Sequence, residues 1–414
     1  MSMSRITLRP RSKRVRLAAI VTGVVLVAAA GIYVAATPPE DENVNIANAG
    51  SNSEFRQGNG GGGRGQQGRG QQNGRPGGGG GGQQNGQNKD RGKAADDPPP
   101  KAGPLVSDFV DINQVRPERE QQQGQGSSTG SFLQDCGTNA DRAHQNGDNF
   151  IAQPGVLNGA EHLHDYVGNL ETDAFSTDLD LARAGTTCAN GDKSTYFWPV
   201  IRVLDDLLPG KQFAGQAKND NFRKQYLFHR GAGIDFDGQG QEIQATKAEL
   251  LFEGSAKQKV RAMPTFLRIL YGDAKQSING RKNTKASWTC SGHEDRMAEQ
   301  YTICPAGTQV MRVHEFPNCW DGQNVDSANH RDHIQYPASN GFCPAGTVPV
   351  PKLKIKLTYD VPQEAQAARA YAVDAFPFEG HAPLSDHDDY ENLMSRSLMN
   401  QVVQCINAGQ QCKA

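Results

Sequence analysis

The sequence has no excess of charge of either sign, and it lacks the short motifs that mark several well-known enzyme sites. Its 43 basic and 45 acidic residues give a formal net charge of −2, so there is no electrostatic reason to expect nucleic acid as a partner. The chain has no H-E-x-x-H zinc motif, no Walker A phosphate loop and no complete EF-hand loop. These absences argue against the best-marked metalloproteases, nucleotide hydrolases and EF-hand calcium proteins.

The chain also lacks any C-x2-C pair, the usual signature of a structural zinc site. Its 8 cysteines all follow an N-terminal hydrophobic segment. An even number of cysteines in the later part of a chain is typical of disulfides formed in an oxidising compartment. Proximity in the sequence suggests four pairs: Cys136–Cys188, Cys290–Cys304, Cys319–Cys343 and Cys405–Cys412.

Apolar residues are scarce between Glu40 and Gly130, where glycine, glutamine, asparagine and arginine dominate. Such a composition cannot bury enough surface to offset its ordering entropy. Residues 37–130 are therefore predicted to form a disordered linker, with a short strand-like island near residues 105–112. Arginine–glycine repeats can bind RNA in the cytoplasm or nucleus, but outside a membrane they favour a flexible tether.

The N-terminus predicts a membrane anchor. Basic residues 1–16 precede an uninterrupted apolar run from Leu17 to Ala36, and acidic residues follow it. The run is about long enough to cross a bilayer as a helix. Its flanking charges predict that the N-terminus lies on the inner side of the cell membrane and the later domain on the outer side. Cleavage after Ala36 is the alternative, and it would release a secreted domain.

Residues 131–414 are expected to form one mainly β, disulfide-bonded domain, a β-sandwich or jelly roll with long loops. β-Branched and aromatic residues are concentrated in five segments: Thr195–Leu204, Lys247–Phe252, Val260–Leu270, Gln309–His314 and Lys352–Tyr359. The last alternates apolar and polar residues, the period of a half-buried strand. One helix is predicted over Tyr390–Asn407, because its apolar residues recur on one face.

Histidine and carboxylate residues recur together in three segments, and they are the candidates for chemistry. These segments are Glu161–Asp165, Cys319–Tyr336 and Asp386–Asp389. His162 and His164 would project to one side of an extended strand, where both could hold a divalent metal ion. The full candidate ligand set is His162, His164, Asp165, His330 and His333. The alternatives are a metal-free acid–base site and a network of loop contacts with no ligand.

Aromatic residues beside carboxylates suggest a carbohydrate partner, because a flat ring packs on the apolar face of a sugar. Trp320, Tyr336 and Asp326 are the candidate substrate-binding residues. If the domain is an enzyme, His164 or His333 would act as base or metal ligand, with Asp321 as general acid or as the group that orients a ligand. The leading hypothesis is a domain that binds or processes envelope polysaccharide, and the alternative is a non-catalytic adhesion or envelope-structure module.

The same segments resemble a known family. The matching stretches are His162–Asn169, Phe316–Gly322, Asn329–His333, Tyr336-Pro337, Cys343-Pro344 and Cys405–Cys412. They are similar to the H-x-H-D, FPxCWDG…NHxxH and terminal cysteine motifs of the domain-of-unknown-function family DUF1996. The resemblance implies an extracellular domain without an established activity. A histidine near the end of the family pattern corresponds to either His381 or His387.

Overall fold

The structure, a computed structural model, describes residues 98, 101–118, 124, 126–204, 207–208 and 240–414. This part of the chain is mainly β, with several disulfides and one long C-terminal helix, as predicted. Among these residues no helix has the length and apolar character needed to span a bilayer. The predicted anchor at 17–36 and most of the linker lie outside the described residues.

The strands and helices of the described residues are short and joined by long loops. The strands are β1 (Phe109–Asp111), β2 (Ser131–Gln134), β3 (Gln145–Asn146), β4 (His164–Gly168), β5 (Thr195–Pro199), β6 (Ile201–Val203), β7 (Gln241–Ile243), β8 (Ala245–Glu253), β9 (Arg268–Gly272), β10 (Trp288–Cys290), β11 (Tyr301–Ile303), β12 (Val310–Glu315), β13 (Cys319–Trp320), β14 (Ile334–Gln335), β15 (Val348–Pro349), β16 (Lys352–Tyr359), β17 (Tyr371–Val373), β18 (His387–Glu391) and β19 (Gln411–Lys413). The helices are α1 (Asp178–Arg183), α2 (Gln276–Asn279), α3 (Gln363–Ala368) and α4 (Arg396–Asn407).

Two larger sheets organise the domain. One has the strand order β10-β12-β16-β8-β2-β19, and the other has the order β3-β4-β5-β18-β9. Neighbouring strands in both are antiparallel except β19 and β2, which run parallel. Three small sheets complete the fold: β17-β6-β7, β14-β13-β15 and the parallel pair β1-β11. The strand-like island of the predicted linker therefore contains β1.

The main core lies where side chains of the two larger sheets meet. The predicted alternation of β16 is confirmed, because Leu353, Ile355 and Leu357 are fully buried while the intervening lysines are partly exposed. Phe252 of the six-stranded sheet packs edge-on against Tyr390 of the five-stranded sheet, with ring centroids 6.0 Å apart. Each such buried apolar side chain contributes about 1.5–3 kcal/mol to folding.

All eight cysteines are paired as their proximity in the sequence predicted. The disulfides are Cys136–Cys188, Cys290–Cys304, Cys319–Cys343 and Cys405–Cys412. Cys290 of β10 and Cys319 of β13 are joined to loop residues, Cys136–Cys188 joins two loops, and Cys405–Cys412 joins α4 to β19. The prediction that these cysteines form disulfides is confirmed.

The C-terminal helix starts later than predicted. α4 begins at Arg396, because the Ser395 side chain accepts a hydrogen bond from the Leu398 amide and so caps the helix. Tyr390 instead belongs to β18, where it pairs with Tyr196 of β5 and Ile269 of β9. The helical prediction for residues 390–395 was wrong. A helical repeat of apolar residues cannot reveal that Tyr390, just before it, belongs to a sheet.

Candidate functional site

The candidate site lies on one face of the five-stranded sheet, where β4 and β18 flank β5. Tyr166 of β4 and Asp389 of β18 both pair with Phe197 of β5, so their side chains share one face. His164 lies two residues before Tyr166, and His387 lies two residues before Asp389. Because strand side chains alternate with a period of two, both histidines project from that same face.

Three histidines converge at this point. The Nε2 atom of His162 lies 3.0 Å from that of His164 and 3.0 Å from that of His387. The Nε2 atoms of His164 and His387 are 3.2 Å apart. The three side chains are buried, with relative exposures of 2%, 0% and 4% for His162, His164 and His387. We call these three residues the histidine triad.

Backbone carbonyls orient two of the three rings. The Nδ1 atom of His164 lies 3.1 Å from the Asp148 carbonyl, and that of His387 lies 2.8 Å from the Ser385 carbonyl. Because a carbonyl only accepts, each Nδ1 carries the proton and each Nε2 presents a lone pair to the centre of the triad. This orientation is the one that metal-ligating histidines adopt in proteins.

The triad is held in its neutral form. Burial lowers the pKa of His162 and His164 well below the usual value, and the neighbouring histidines lower them further. Burial also lowers the pKa of His387 to about 4. Neutral imidazoles are the form that binds metal ions, and two unprotonated nitrogens facing each other at 3.2 Å have no hydrogen bond to share.

A charged network lies behind the triad, on the opposite face of β18. His314 of β12 bridges Asp388 through Nδ1 at 2.8 Å and Asp386 through Nε2 at 3.0 Å. Arg312 lies 3.4 Å from the other oxygen of Asp386. Burial opposes protonation of His314, but Asp386 and Asp388 together raise its pKa. The network therefore fixes β18 through paired charges on the side away from the triad.

Asp389 is a buried carboxylate on the same face as the triad. Its Oδ2 atom accepts a hydrogen bond of 2.7 Å from the Asn149 side chain. Burial raises its pKa to about 8, and the nearby charge of Asp388 adds to the effect. Asn149 follows Asp148, whose carbonyl orients His164, so the loop after β3 contacts both the carboxylate and the triad.

Of the predicted ligands, the structure brings His162 and His164 together and directs the others elsewhere. Asp165 lies on the opposite face of β4, where Asn139 and Gln145 donate to its Oδ1 atom. His330 contacts Asp326 at 2.9 Å. The ring of His333 lies between the Ser327 hydroxyl and the Arg268 carbonyl, which is 2.7 Å away.

The remaining predicted residues surround β13 and its loop. Asp321 accepts from the backbone amides of Gln323 and Asn324 and so caps its own turn. Trp320 donates to the Asn324 carbonyl at 2.7 Å. The ring of Tyr336 is covered by the Lys285 ammonium group, 4.0 Å from its centroid. The catalytic and sugar-binding roles of these residues remain predictions.

His387 completes the triad but was absent from the predicted ligand set. The sequence marked its segment as one of three histidine and carboxylate segments, and the family resemblance left the terminal histidine open between His381 and His387. It lies 225 residues after His162, and no local spacing relates the two. The signal that could have found it is the strand itself, because β18 places His387 and Asp389 on one face.

A cavity lies beside the triad rather than at it. It has a volume of about 820 Å³ and its lining includes His144, Tyr166, Glu171 and Asp173. Tyr166 links the two regions, since its hydroxyl donates at 2.7 Å to the Asp148 carbonyl that also orients His164. The triad itself is too deeply buried to line this groove.

Comparisons with known proteins identify the family alone. A family model described as Domain of unknown function (DUF1996) matches residues 150–392, a range that contains all three histidines of the triad. No curated protein and no solved structure matches the chain. The match spans more than half of the 414 residues. The chain therefore belongs to the DUF1996 family.

Proposed function

We propose that the protein is an exported metal-binding domain whose histidine triad holds one divalent transition-metal ion. The observation that carries this proposal is the convergence of three Nε2 atoms within 3.0–3.2 Å of one another. Atoms at this separation can all lie about 2.0–2.1 Å from a common ion, the usual zinc–imidazole distance. Imidazole ligands suit zinc, copper, iron and nickel.

The surroundings favour a cation at this position. The Nε2 lone pairs of His164 and His387 face the centre of the triad with no proton between them, and a divalent ion accepts both. A buried ion also removes the cost of leaving converging lone pairs without a partner.

Metal analysis of the purified full chain tests the proposal. We expect about one ion per chain in the wild type after loading with Zn²⁺ or Cu²⁺ and removal of excess, and strong loss in His387→Ala. The matched control is the double variant His330→Ala, His333→Ala, which removes two histidines predicted as ligands but bonded elsewhere. Equal metal content in all three proteins contradicts the proposal, as does a folded wild type that takes up no metal.

Export and anchoring belong to the same proposal. Four disulfides support a site of action in an oxidising compartment, and residues 17–36 would hold the chain in the bilayer. N-terminal sequencing of the protein recovered from the membrane fraction and from the medium separates the two forms. An intact N-terminus supports the anchor, and a chain that begins at Thr37 shows cleavage and secretion.

A carbohydrate partner is the second candidate, and the groove of about 820 Å³ favours it. Its lining combines the His144 ring with polar groups from Asn139, Thr172 and Asp173, the mixture that sugar rings require. We expect wild type to bind soluble envelope polysaccharide, and His144→Ala to bind it less. Unchanged binding in His144→Ala would contradict binding in this groove. Loss of binding in Trp320→Ala instead would assign the polysaccharide to the predicted loop around β13.

A further inference from the structure

The triangle of triad nitrogens is too small to hold an ion in its plane. With sides of 3.0, 3.0 and 3.2 Å, its centre lies only about 1.8 Å from each nitrogen, shorter than the zinc–imidazole distance of about 2.0–2.1 Å. An ion bound to all three nitrogens therefore sits roughly 1 Å out of their plane. The three imidazoles then occupy one side of the ion and leave its other side open.

No described side chain is placed to fill that open side. Among the residues that the structure describes, the His, Cys, Asp and Glu ligand atoms that converge at this point belong to His162, His164 and His387 alone. The neighbouring carboxylates are engaged elsewhere: Asp388 bonds to His314, and Asp389 accepts from Asn149. Strand alternation turns Asp388 to the opposite face, so it cannot reach the ion without reversing β18.

Three protein ligands with a remaining position distinguish reactive zinc sites from structural ones, which are closed by four protein ligands. We propose that the ion in the histidine triad keeps a coordination position for an exogenous oxygen or nitrogen donor. This inference rests on the proposed metal centre. Water occupies the position at rest, and a small Lewis base replaces it.

Burial and charge define the class of ligand. Because the triad residues are at most 4% exposed, the incoming ligand has to be only a few atoms in size. Because the three imidazoles are neutral, the ion retains its full positive charge, which favours anions over neutral donors. Hydroxide, azide and cyanide have the required size, charge and donor atoms.

Azide titration of the full chain loaded with Co²⁺ tests the inference, with the visible absorption spectrum as the readout. We expect a saturable spectral change in the wild type and in the control His293→Ala, which removes a histidine remote in sequence from the triad. The change is expected to disappear in His387→Ala, where azide can only find adventitious ions.

The outcomes separate the two proposals. A chain that binds one Co²⁺ through the triad but whose spectrum ignores azide overturns the open position and leaves the metal centre standing. A chain that takes up no Co²⁺, Zn²⁺ or Cu²⁺ overturns the metal centre, and the open position with it. A response that survives in His387→Ala assigns azide binding to another site and also overturns the inference.

Discussion

At the residue scale, the three converging Nε2 atoms carry more lone pairs than protons, since only His162 can carry its proton on Nε2 and donate it to a neighbour. Carbonyls hold the protons of His164 and His387 on Nδ1, so their Nε2 lone pairs point at each other. Such unsatisfied buried groups cost about 1–3 kcal/mol each. A shared metal ion removes this cost, which is why the arrangement favours a metal centre over a network of loop contacts.

Asp148 is expected to position His164 for the ion. Its carbonyl orients the ring, and its carboxylate fixes that carbonyl by accepting from the backbone amides of Asn158 and Ala174, at 2.6 and 3.0 Å. Asp148→Ala should lower metal affinity about 10–100-fold, measured by competition with a chelator. Asp148→Asn keeps one acceptor and should lose less. Equal metal affinity in both variants and the wild type would show that Asp148 does not position His164 for the ion.

Glu391 is expected to make stability depend on pH. It is fully buried, and burial raises its pKa to about 8 although Arg268 lies only 3.4 Å away. Since the folded pKa exceeds the unfolded value, the protonated form favours folding. The free energy of unfolding should therefore fall as pH rises from about 4.5 to 8, and Glu391→Gln should flatten that fall. Denaturant titrations across this pH range measure that free energy. The same pH dependence in the wild type and in Glu391→Gln would contradict the prediction.

At the element scale, β18 connects the histidine triad to the charged network behind it, because it carries His387 on one face and Asp388 on the other. Its neighbour β9 approaches it closely at Gly272, which pairs with His387. A Cβ atom on Gly272 would lie 2.1 Å from the Asp386 carbonyl and 2.9 Å from the Cα of His387. The strand therefore holds its position only while residue 272 has no side chain.

Gly272→Ala should consequently displace β18 and weaken metal binding. The matched control is Gly280→Ala, since Gly280 has a similar positive φ of 74° but no heavy atom within 4 Å of a Cβ. Both variants carry comparable backbone strain, so thermal stability should fall in both. Chelator competition should show lower metal affinity in Gly272→Ala alone, and a parallel loss in Gly280→Ala would assign the effect to strain.

The sequence predicts local features of this molecule far better than distant ones. The alternation along β16, the cysteine pairs and the joint projection of His162 and His164 all follow from short spacings. His387 does not, because the register that brings β18 beside β5 is fixed by contacts such as Tyr390 against Tyr196. The start of α4 failed for the same reason, since burial of Tyr390 in a sheet outweighs a helical pattern of apolar residues.

At the scale of the whole molecule, disulfides compensate for short strands and long loops. In the chain-entropy model, a disulfide that closes a longer loop stabilises the fold more. Cys136 and Cys188 are 52 residues apart, whereas Cys405 and Cys412 are 7 apart. Replacing the first pair by serine should therefore cost roughly 2 kcal/mol more than replacing the second. Denaturant unfolding of both double variants checks this, and the reverse order would contradict it.

A buried ion in the triad would also stabilise the fold of the whole domain. The triad joins β4 and the segment before it to β18, which lies more than 200 residues later in the chain. An ion there acts as a further cross-link between distant segments, in addition to any ligand that it binds. Its removal by a chelator should lower the melting temperature of the wild type and leave that of His387→Ala unchanged.

X-ray absorption at the metal edge of the purified, metal-loaded full chain tests the central claim most directly. We predict three imidazole nitrogens at about 2.0–2.1 Å together with one oxygen donor in the remaining position. A first shell that contains sulfur, that consists of oxygen alone, or that has fewer than three imidazoles would contradict the histidine triad as the metal centre.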